Sequence, residues 1–318
     1  MRFTWNQLRM FEALARHTSF TRAARELHVV QPTVSAQIKQ LSEAVGMPLY
    51  EQIGKKIQLT EAGAELQRTV LELNDAWDRF EIKISDLKGV KAGRLRISIV
   101  TTAKYFVPRL LGPFCNLYPG IDVSLEIVNR GRVLERLTNN LDDLYILGIL
   151  PKNSEVESRR FLDNPLLAIA PRNHPLVSER DIPVERLMQE RFILRESGSG
   201  TRIATQEFFE KRKFKLTIKM ELGNNEAIKW AVAGGMGLSV ISQHSLLLEP
   251  MQDKIAVLDV QGFPIRQAWH LVYPTGKKLS VIARTFFDYL IEEAKTIQAE
   301  LDQARANVKT GRRRVAGD

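Results

Sequence analysis

The sequence has very little cysteine and no long hydrophobic run. Its 318 residues include a single cysteine, Cys115, which excludes an internal disulfide and argues against a disulfide-stapled secreted domain. The longest apolar stretches, such as YILGIL at 145–150, are far too short to span a bilayer. The start, MRFTWNQLRM, also lacks the apolar core of a signal peptide. We therefore expect a cytoplasmic protein that does not enter a membrane.

Patterns typical of catalytic and metal sites are missing as well. The five histidines have no paired spacing that suits a metal ion. The GGMG segment at 234–237 precedes a strand pattern instead of following one, so it does not predict a dinucleotide-binding turn, and no GxxxxGKS or GxxxxGKT is present. SDLK at 85–88 matches Ser-x-x-Lys but has no partner motif in a suitable place. The sequence therefore predicts no enzyme, no metal and no cofactor.

Acidic residues are outnumbered by basic ones. The chain has 46 Lys and Arg against 37 Asp and Glu, which gives a formal net charge of +9 at pH 7. Such a balance favours an anionic partner, either nucleic acid or a membrane surface, and charge alone does not choose between them. The length suits two or three domains, and 44% hydrophobic residues are enough for a sizeable core.

The N-terminal region has the periodicity of three short helices. Apolar residues recur every three or four positions in WNQLRMFEALARHTSF (5–20), TRAARELHV (21–29) and QPTVSAQIKQL (31–41). Ser19 and Thr21 offer hydroxyl groups that cap the second helix. The three-residue break before Gln31 makes the second and third segments a helix, a tight turn and a helix.

The outer face of the third helix is unusual for a solvated surface. Val34, Ile38 and Leu41 supply its inner face, and the outer face has no acidic residue. Small or amide-bearing residues and one lysine occupy it: Gln31, Pro32, Thr33, Ser35, Ala36, Gln37, Lys39 and Gln40. The second helix of a helix-turn-helix enters the major groove of DNA, where Gln, Lys and small apolar residues contact base edges. The alternative is a polar helix pair without a ligand.

A hairpin with a basic tip follows this helix pair. Aliphatic and polar residues alternate around Gly54 in LYEQIGKKIQLT (49–60), which predicts a two-stranded wing. We expect base contacts from the outer face of the third helix and phosphate contacts from the remaining polar residues. The predicted DNA-binding set is Thr21, Arg22, Gln31, Pro32, Thr33, Ser35, Ala36, Gln37, Lys39, Lys55 and Lys56.

A long helix is predicted from Glu61 to Leu87, because this segment has neither proline nor glycine after Gly63. Its apolar residues follow in steps of three and four, close to a heptad pattern: Leu66, Val70, Leu73, Trp77, Phe80 and Ile84. So narrow an apolar stripe predicts a dimerisation helix. The alternative is that the stripe packs on its own domain.

Beyond residue 90 the pattern changes to alternating strands and helices. RLRISIV (94–100), IDVSLEIV (121–128) and LYILGIL (144–150) are separated by helical segments, which predicts βαβ units and a parallel sheet. The second half repeats this pattern. AWHLVYP (268–274) and a last helix from 280 to about 297 then suit a chain that returns to the first lobe. Two α/β lobes joined by crossover strands form a cleft.

The segment SFTRAARELHVVQPTVSAQIKQLSEAVGMPLYEQIGKKIQLTEAG (19–63) resembles the N-terminal signature of the LysR-type transcriptional regulators. RESGSGTR (195–202) and ELGNNEAIKWAVAGGMGLSVIS (221–242) are similar to segments of the second lobe in that family. ARHTSFTRAARELHVVQP, LDDLYILG and RESGSGTR are most similar to the regulators of carbon-fixation (Calvin cycle) operons. One difference is Val30, because family members usually have Ser or Thr there, and the hydroxyl cap of the recognition helix is therefore absent.

The resemblance implies an all-α winged helix-turn-helix and linker helix followed by a two-lobed α/β domain of the periplasmic-binding-protein type. We expect the DNA-binding domain at 1–60, the linker helix at 61–90 and the effector-binding domain at 91–300. Lobe 1 comprises about 91–161 and 269–300, lobe 2 about 162–268, and a basic flexible tail 301–318.

Two segments indicate an anion site in the cleft. ESGSGTR presents backbone amides just before a helix, and VTTAKYF follows the first strand at the carboxyl edge of the sheet. The predicted effector-binding set is Thr101, Thr102, Lys104, Arg130, Arg195, Ser197, Gly198, Thr201 and Arg202. Ordinary helix caps and solvated surface charges are the alternatives. The resemblance implies a phosphorylated metabolite or a reduced nicotinamide cofactor as the effector.

The sequence thus predicts a transcriptional regulator whose partners are double-stranded operator DNA, a small-molecule effector, RNA polymerase and further copies of itself, as a homodimer or homotetramer. Two other classes remain open at this point. One is a two-lobed solute-binding protein without sequence-specific DNA binding. The other is an enzyme with an N-terminal regulatory domain.

Overall fold

The computed structural model describes residues 3–53, 56–87, 92–152, 155–247, 251 and 253–314. The chain forms two compact units, Met1–Ile84 and Ser85–Asp318. Throughout the described part, every helix is too short or too polar to cross a lipid bilayer. Nor do three metal-ligating side chains cluster anywhere among the described residues.

The first unit is a three-helix core followed by a hairpin and a long helix. Its elements are α1 (Trp5–His17), α2 (Phe20–Glu26), α3 (Gln31–Val45), β1 (Tyr50–Ile53), β2 (Lys56–Leu59) and α4 (Glu61–Leu87). Ser19 caps α2, as the sequence predicts, by accepting a hydrogen bond from the Arg22 amide. Gly46 ends α3 with a φ of 81°, a left-handed conformation that glycine adopts without strain. The ends of these helices therefore follow from capping residues next to them in the sequence.

A shared apolar core joins the helices of the first unit. Phe11, Val34, Ile38, Leu41 and Leu49 are fully buried there. The predicted hairpin is confirmed, with β1 and β2 antiparallel. The helix, tight turn and helix arrangement of α2 and α3 is therefore held by a core that also includes α1 and the start of the hairpin.

Helix α4 begins in close contact with the chain that enters the hairpin. Thr60 Oγ1 accepts a hydrogen bond from the Gly63 amide (3.1 Å) and donates one to the Pro48 carbonyl (2.6 Å). A Cβ at position 63 would lie 1.9 Å from the Leu49 carbonyl oxygen. Only glycine permits this approach. The TEAG segment therefore fixes where the long helix leaves the winged domain.

The second unit contains the α/β part of the chain. Its elements are β3 (Gly93–Val100), α5 (Val107–Leu117), β4 (Ile121–Val128), α6 (Arg130–Thr138), β5 (Leu144–Leu147), β6 (Val156–Asp163), β7 (Leu166–Pro171), β8 (Arg191–Arg195), α7 (Gly200–Glu210), β9 (Thr217–Leu222), α8 (Asn225–Ala233), β10 (Ser239–Ser242), α9 (His244–Leu247), β11 (Ile255–Val257), β12 (Ala268–Pro274) and α10 (Val281–Arg314).

The first lobe is built on a mixed sheet with strand order β4-β3-β5-β12-β6. β3 is parallel to β4 and β5, as the sequence predicts, but β12 runs antiparallel to both β5 and β6. The three strands predicted to be parallel are therefore parallel, and the returning strand makes the sheet mixed. β6, with the sequence VESRRFLD, was not predicted, because as an edge strand it exposes most of its side chains and lacks a hydrophobic run.

The second lobe also differs from a parallel sheet. β7 pairs antiparallel with β10 and β11, whereas β8 and β9 form a separate parallel pair. The chain passes between the lobes along two segments that pair with each other. The Asn164 amide donates to the Gln267 carbonyl (2.8 Å), and the Leu166 amide donates to the Ile265 carbonyl (3.0 Å). The cleft lies beside these two crossing segments.

The last helix is longer than predicted. α10 extends from Val281 to Arg314, beyond the predicted end near residue 297, and includes most of the segment expected to be a flexible tail. The segment QAELDQARANVKTGRRR is rich in Ala, Gln, Lys and Arg, which have high helix propensity, so the helix continues through it.

Candidate functional site

Helix α3 presents the predicted polar face to solvent. Val34, Ile38 and Leu41 are 0% exposed, so the helix has a fixed inner side. The opposite side contains the predicted base-contacting residues. These are Gln31, Thr33, Ala36 and Lys39, all of them exposed, as is Pro32 beside them. Ser35 and Gln37, which were predicted to contact phosphates, are partly buried. The arrangement provides a rigid helix whose small, uncharged outer residues and one lysine allow a close approach to DNA.

The residues predicted to contact phosphates flank this helix. Thr21 and Arg22 are exposed on the first turn of α2, and the Arg22 guanidinium donates to the His17 carbonyl. Lys55 lies outside the described residues, and Lys56 begins β2 with a side chain outside them. Val30 is the N-cap of α3 and makes no side-chain capping bond, as expected from its missing hydroxyl.

An ion-pair network connects α1 to α2. The Arg16 guanidinium pairs with Glu12 (3.1 Å) and Glu26 (2.6 Å), and His17 Nε2 lies 2.6 Å from Glu26. Partial burial raises the pKa of Glu26, but hydrogen bonds from Arg16 and His17 outweigh this and hold that pKa below its usual range. The network therefore stabilises the angle between these helices most when Glu26 is ionised.

The predicted dimerisation stripe on α4 divides into two parts. Leu66 and Val70 pack into the core of the first unit, and Val70 is only 2% exposed. Leu73, Trp77 and Phe80 are 40%, 52% and 53% exposed, whereas Ile84 is partly buried. The Trp77 ring lies 6.1 Å from that of Trp5 and 5.5 Å from that of Phe80. The most exposed apolar residues of the stripe are therefore Leu73, Trp77 and Phe80.

In the second unit, Arg195 joins the two lobes across the cleft. Its guanidinium is nearly buried and donates to Thr101 Oγ1 (3.0 Å) and Thr102 Oγ1 (3.1 Å) of the first lobe. It also donates to Asn225 Oδ1 (3.1 Å) in the second lobe. The neighbouring Glu196 accepts two bonds from it, at 2.7 and 2.9 Å. The Arg195 guanidinium can therefore bind an anion through two parallel hydrogen bonds, and the Glu196 carboxylate already occupies one side of it.

The N-terminus of α7 borders the same cleft. Ser199, Gly200 and Thr201 line it, and Ser199 makes no side-chain capping bond. The first amides of a helix have no acceptor within the helix and attract anions. Arg130, at the first position of α6, approaches from the other lobe. Two arginines, a helix N-terminus and two threonines of the first lobe therefore converge.

The cleft is narrow. Its cavity volume is about 30 Å³, close to that of one or two water molecules. A metabolite therefore enters only when the lobes or their side chains move apart.

Comparison with known proteins shows the family. Residues 5–64 match the model of the bacterial regulatory helix-turn-helix protein of the lysR family, and residues 88–295 match the LysR substrate binding domain. The chain belongs to the LysR family of transcriptional regulators. This LysR-type regulator therefore combines a DNA-binding helix-turn-helix domain with a two-lobed domain, which confirms the predicted fold class.

Similar proteins support the same conclusion. The HTH-type transcriptional activator CmpR of Synechocystis sp. is 52% identical over 294 residues, 92% of this chain and 97% of that protein. The RuBisCO operon transcriptional regulator of Acidithiobacillus ferrooxidans is 48% identical over 287 residues, 90% of this chain and 93% of that protein. These relatives are named as regulators and not as enzymes.

One similar protein has a solved structure with a bound molecule. The CcmR regulatory domain of Synechocystis, in complex with 2-PG, is 49% identical. The match covers 64% of this chain and 98% of that domain, with a TM-score of 0.62.

The structure of the LysR-type regulator does not bring four predicted effector residues to the cleft. Lys104 pairs with Glu226 (3.0 Å), and the Arg202 guanidinium donates to Glu221 and to the Arg195 carbonyl. The Ser197 amide also donates to Glu221 (2.9 Å), and Gly198 does not line the cavity. These four residues therefore do not line the cavity, and carboxylates distant in sequence bind the two cations among them. Their role in effector binding stays a prediction.

Other cleft residues of the regulator were not predicted. Asn164, Gln267 and Trp269 come from the crossing segments, Gly148 follows β5, and Glu196 follows Arg195. A Cβ at Gly148 would lie 3.4 Å from both Asn164 Nδ2 and the Trp269 ring, so the wall has little room there. The sequence signal for Asn164 and Gln267 is that each is a polar residue next to a predicted crossover strand. The other three residues have no such signal.

Proposed function

We propose that this LysR-type regulator binds operator DNA as a homo-oligomer and that a small phosphorylated acid, binding in the inter-lobe cleft, controls carbon-fixation genes. The single observation that supports the effector most directly is the convergence of Arg130, Arg195 and the α7 N-terminus in the cleft. A phosphate and a carboxylate both suit these groups. The 2-PG in the CcmR domain, which is 2-phosphoglycolate, has this chemistry.

The exposed face of α3 is the basis for DNA recognition. In this proposal Gln31, Thr33, Ala36 and Lys39 contact bases, and Thr21, Arg22 and the wing lysines contact phosphates. The exposed Leu73, Trp77 and Phe80 pack against a second copy of α4. A dimer then presents two recognition helices to two half-sites. RNA polymerase is a further proposed partner, and the proposed location is the cytoplasm.

The effector acts only if it binds one arrangement of the lobes better than another. The narrow cleft provides that difference, because Arg195 is bonded to Glu196, Thr101 and Thr102 when the cleft is closed. An anion that replaces Glu196 changes the contacts between the lobes. The change is passed to the DNA-binding units of the oligomer.

A competition titration tests the proposal. Full-length protein is titrated against the duplex upstream of its own gene, with random duplex as competitor, at two salt concentrations. We expect preferential binding that persists at the higher salt and an affinity that changes when 2-phosphoglycolate is added. A reduced nicotinamide cofactor is tested in parallel as the alternative effector. Equal binding to both duplexes that disappears at high salt would contradict operator recognition.

A further inference from the structure

A second and larger cavity lies between the same two lobes. It is enclosed by α6 of the first lobe, α7 of the second lobe and the segment that follows β5. Its volume is about 790 Å³, within the size range of small-molecule sites, whereas the cleft holds about 30 Å³. We call it the side cavity. It therefore needs no opening of the lobes to admit a ligand.

The walls of the side cavity are mainly apolar. Apolar side chains from both lobes and from the connecting segment line it: Leu134, Leu137, Ile149, Leu150, Pro151, Val156, Ile203 and Pro274. Among the described residues, its polar lining comprises Arg130, Thr138, Lys152, Glu155 and Glu207. An apolar pocket with a few polar groups is the usual composition of a site that orients a small organic molecule.

Arg130 is the distinctive polar group of this cavity. Within the described part of the chain, its guanidinium donates two long bonds, 3.4 Å each, to the carbonyls of Ile149 and Leu150. Among the described residues no carboxylate pairs with it, whereas Arg132 and Arg136 on the same helix pair with Glu135 and Asp142. Burial lowers the pKa of Arg130, as expected for a partly desolvated cation without a counter-charge. The site therefore favours one anionic group at Arg130.

Two carboxylates limit the charge of the occupant. Glu155 and Glu207 line the cavity, and neither forms an ion pair in the described part of the chain. Both repel a ligand with several negative charges, and the apolar walls favour a ligand with an apolar body. These features distinguish the side cavity from the cleft, where arginine, hydroxyl groups and helix amides suit a small polar anion.

The two cavities share a wall. Arg130 and Ile149 line both of them, so a ligand on either side meets the same guanidinium. An anion that draws Arg130 into the side cavity removes a cation from the cleft. Occupation of one site therefore changes the affinity of the other, and by linkage the effect is reciprocal.

We propose that the side cavity binds an amphipathic monoanion, with its charged group on Arg130 and its apolar body against Leu134, Ile149 and Ile203, and that this binding is coupled to the cleft. The coupling rests on the proposed effector site, whereas binding in the side cavity does not. The regulator then responds to two classes of small molecule, one in each cavity.

Direct binding is tested with full-length protein and 1-anilinonaphthalene-8-sulfonate, a fluorescent monoanion with an apolar body. We expect Ile203→Trp, which puts an indole ring where the apolar body of the dye would lie, and Arg130→Gln, which removes the cation, to raise the Kd at least tenfold. Arg132→Gln is the matched arginine control and should bind as the parent does. Glu207→Gln should lower the Kd two- to threefold at an unchanged melting temperature, which separates this gain from dye binding to apolar surface exposed by partial unfolding.

An unchanged Kd in Ile203→Trp would place the dye elsewhere and overturn the proposal, as would equal losses in Arg130→Gln and Arg132→Gln. Coupling is tested with hexanoate as a second probe. We expect saturating hexanoate to raise the Kd for 2-phosphoglycolate at least threefold in the parent and to leave it unchanged in Ile203→Trp. If 2-phosphoglycolate binds equally with and without hexanoate, the coupling is wrong. If it does not bind at all, the proposed effector and the coupling fail together, and the dye result still decides the side cavity.

Discussion

The Arg195 guanidinium of the second lobe donates a hydrogen bond to Thr102 Oγ1 of the first lobe over 3.1 Å. The two residues are far apart in sequence: Arg195 is the last residue of β8, and Thr102 lies just after β3. The bond closes the cleft at the point where we propose that the effector binds. Since Glu196 accepts two further bonds from the same guanidinium, the closed cleft already contains a carboxylate on the proposed anion-binding arginine.

Glu196 should therefore compete with the effector. In Glu196→Gln the positive charge of Arg195 loses its carboxylate partner, and an added anion takes the place of that carboxylate. We expect the Kd for 2-phosphoglycolate to fall about three- to tenfold, measured by calorimetry on the full chain, and the melting temperature without ligand to decrease. Glu221→Gln is the control, because Glu221 pairs with Arg202 outside the cleft lining. Weaker binding in Glu196→Gln would mean that Glu196 holds Arg195 in place for the ligand.

Lys39 should contribute to sequence preference more than to general affinity. It is exposed on the outer face of α3, where a base contact is worth roughly 1–3 kcal/mol of discrimination. Lys39→Ala should reduce the ratio of operator to random-duplex affinity at least fivefold. Lys211→Ala removes the same charge from the second lobe and should leave the ratio unchanged.

The wing lysines give the contrasting result. Replacing Lys55 and Lys56 with Ala should weaken binding to all duplexes and lower the slope of log affinity against log salt by about two. If this variant and Lys39→Ala behave alike, the division into base and phosphate contacts is wrong.

The aromatic part of α4 should hold the dimer together. Trp77 and Phe80 are more than half exposed and adjacent, so serine at both positions removes apolar surface from the proposed interface without opening the core of the first unit. We expect the double variant to sediment as a monomer at micromolar concentration. Met47→Ser, at a residue 58% exposed in the same unit, is the control and should remain dimeric. A parent protein that is monomeric would end this proposal.

Glu26 should make the stability of the first unit depend on pH. Its pKa is lowered in the folded state, so its contribution is fully present above the ordinary glutamate pKa of about 4.3 and is lost as the pH falls through the lowered value. We expect Glu26→Gln to cost about 1 kcal/mol at pH 7, and less in high salt. Thermal melts from pH 7 to pH 3 should show the parent and the variant converge at the acid end. Glu43→Gln, on the exposed part of α3, should follow the parent.

Much of the first unit follows from sequence because its rules are local. The spacing of Val34, Ile38 and Leu41 defines the inner face of α3, and the Ser19 cap and Gly46 conformation define helix ends. Because the buried face of α3 is fixed, the residues exposed on its opposite face are predictable. The packing of Val70 was not predictable from the sequence. Whether an apolar residue on a long helix contacts its own domain or a second copy depends on where the helix starts. The contact between Gly63 and Leu49 decides that.

The sequence by itself determined the helix-turn-helix and the long helix, because each depends on spacing and periodicity within a short segment. Alternating strand and helix patterns predicted the two α/β lobes, and the family was predicted from the resemblance of its motifs. Only the tertiary structure decided the direction of β12, the pairing of Lys104 with Glu226 and of Arg202 with Glu221, and the meeting of Arg195 with Thr102. The physical reason is that strand pairing and ion pairing join residues by distance in space, and a cation's nearest carboxylate is set by the packing of the whole unit. The tertiary structure also decided the position of Arg130 between two cavities, since these cavities exist only where α6 of one lobe faces α7 of the other.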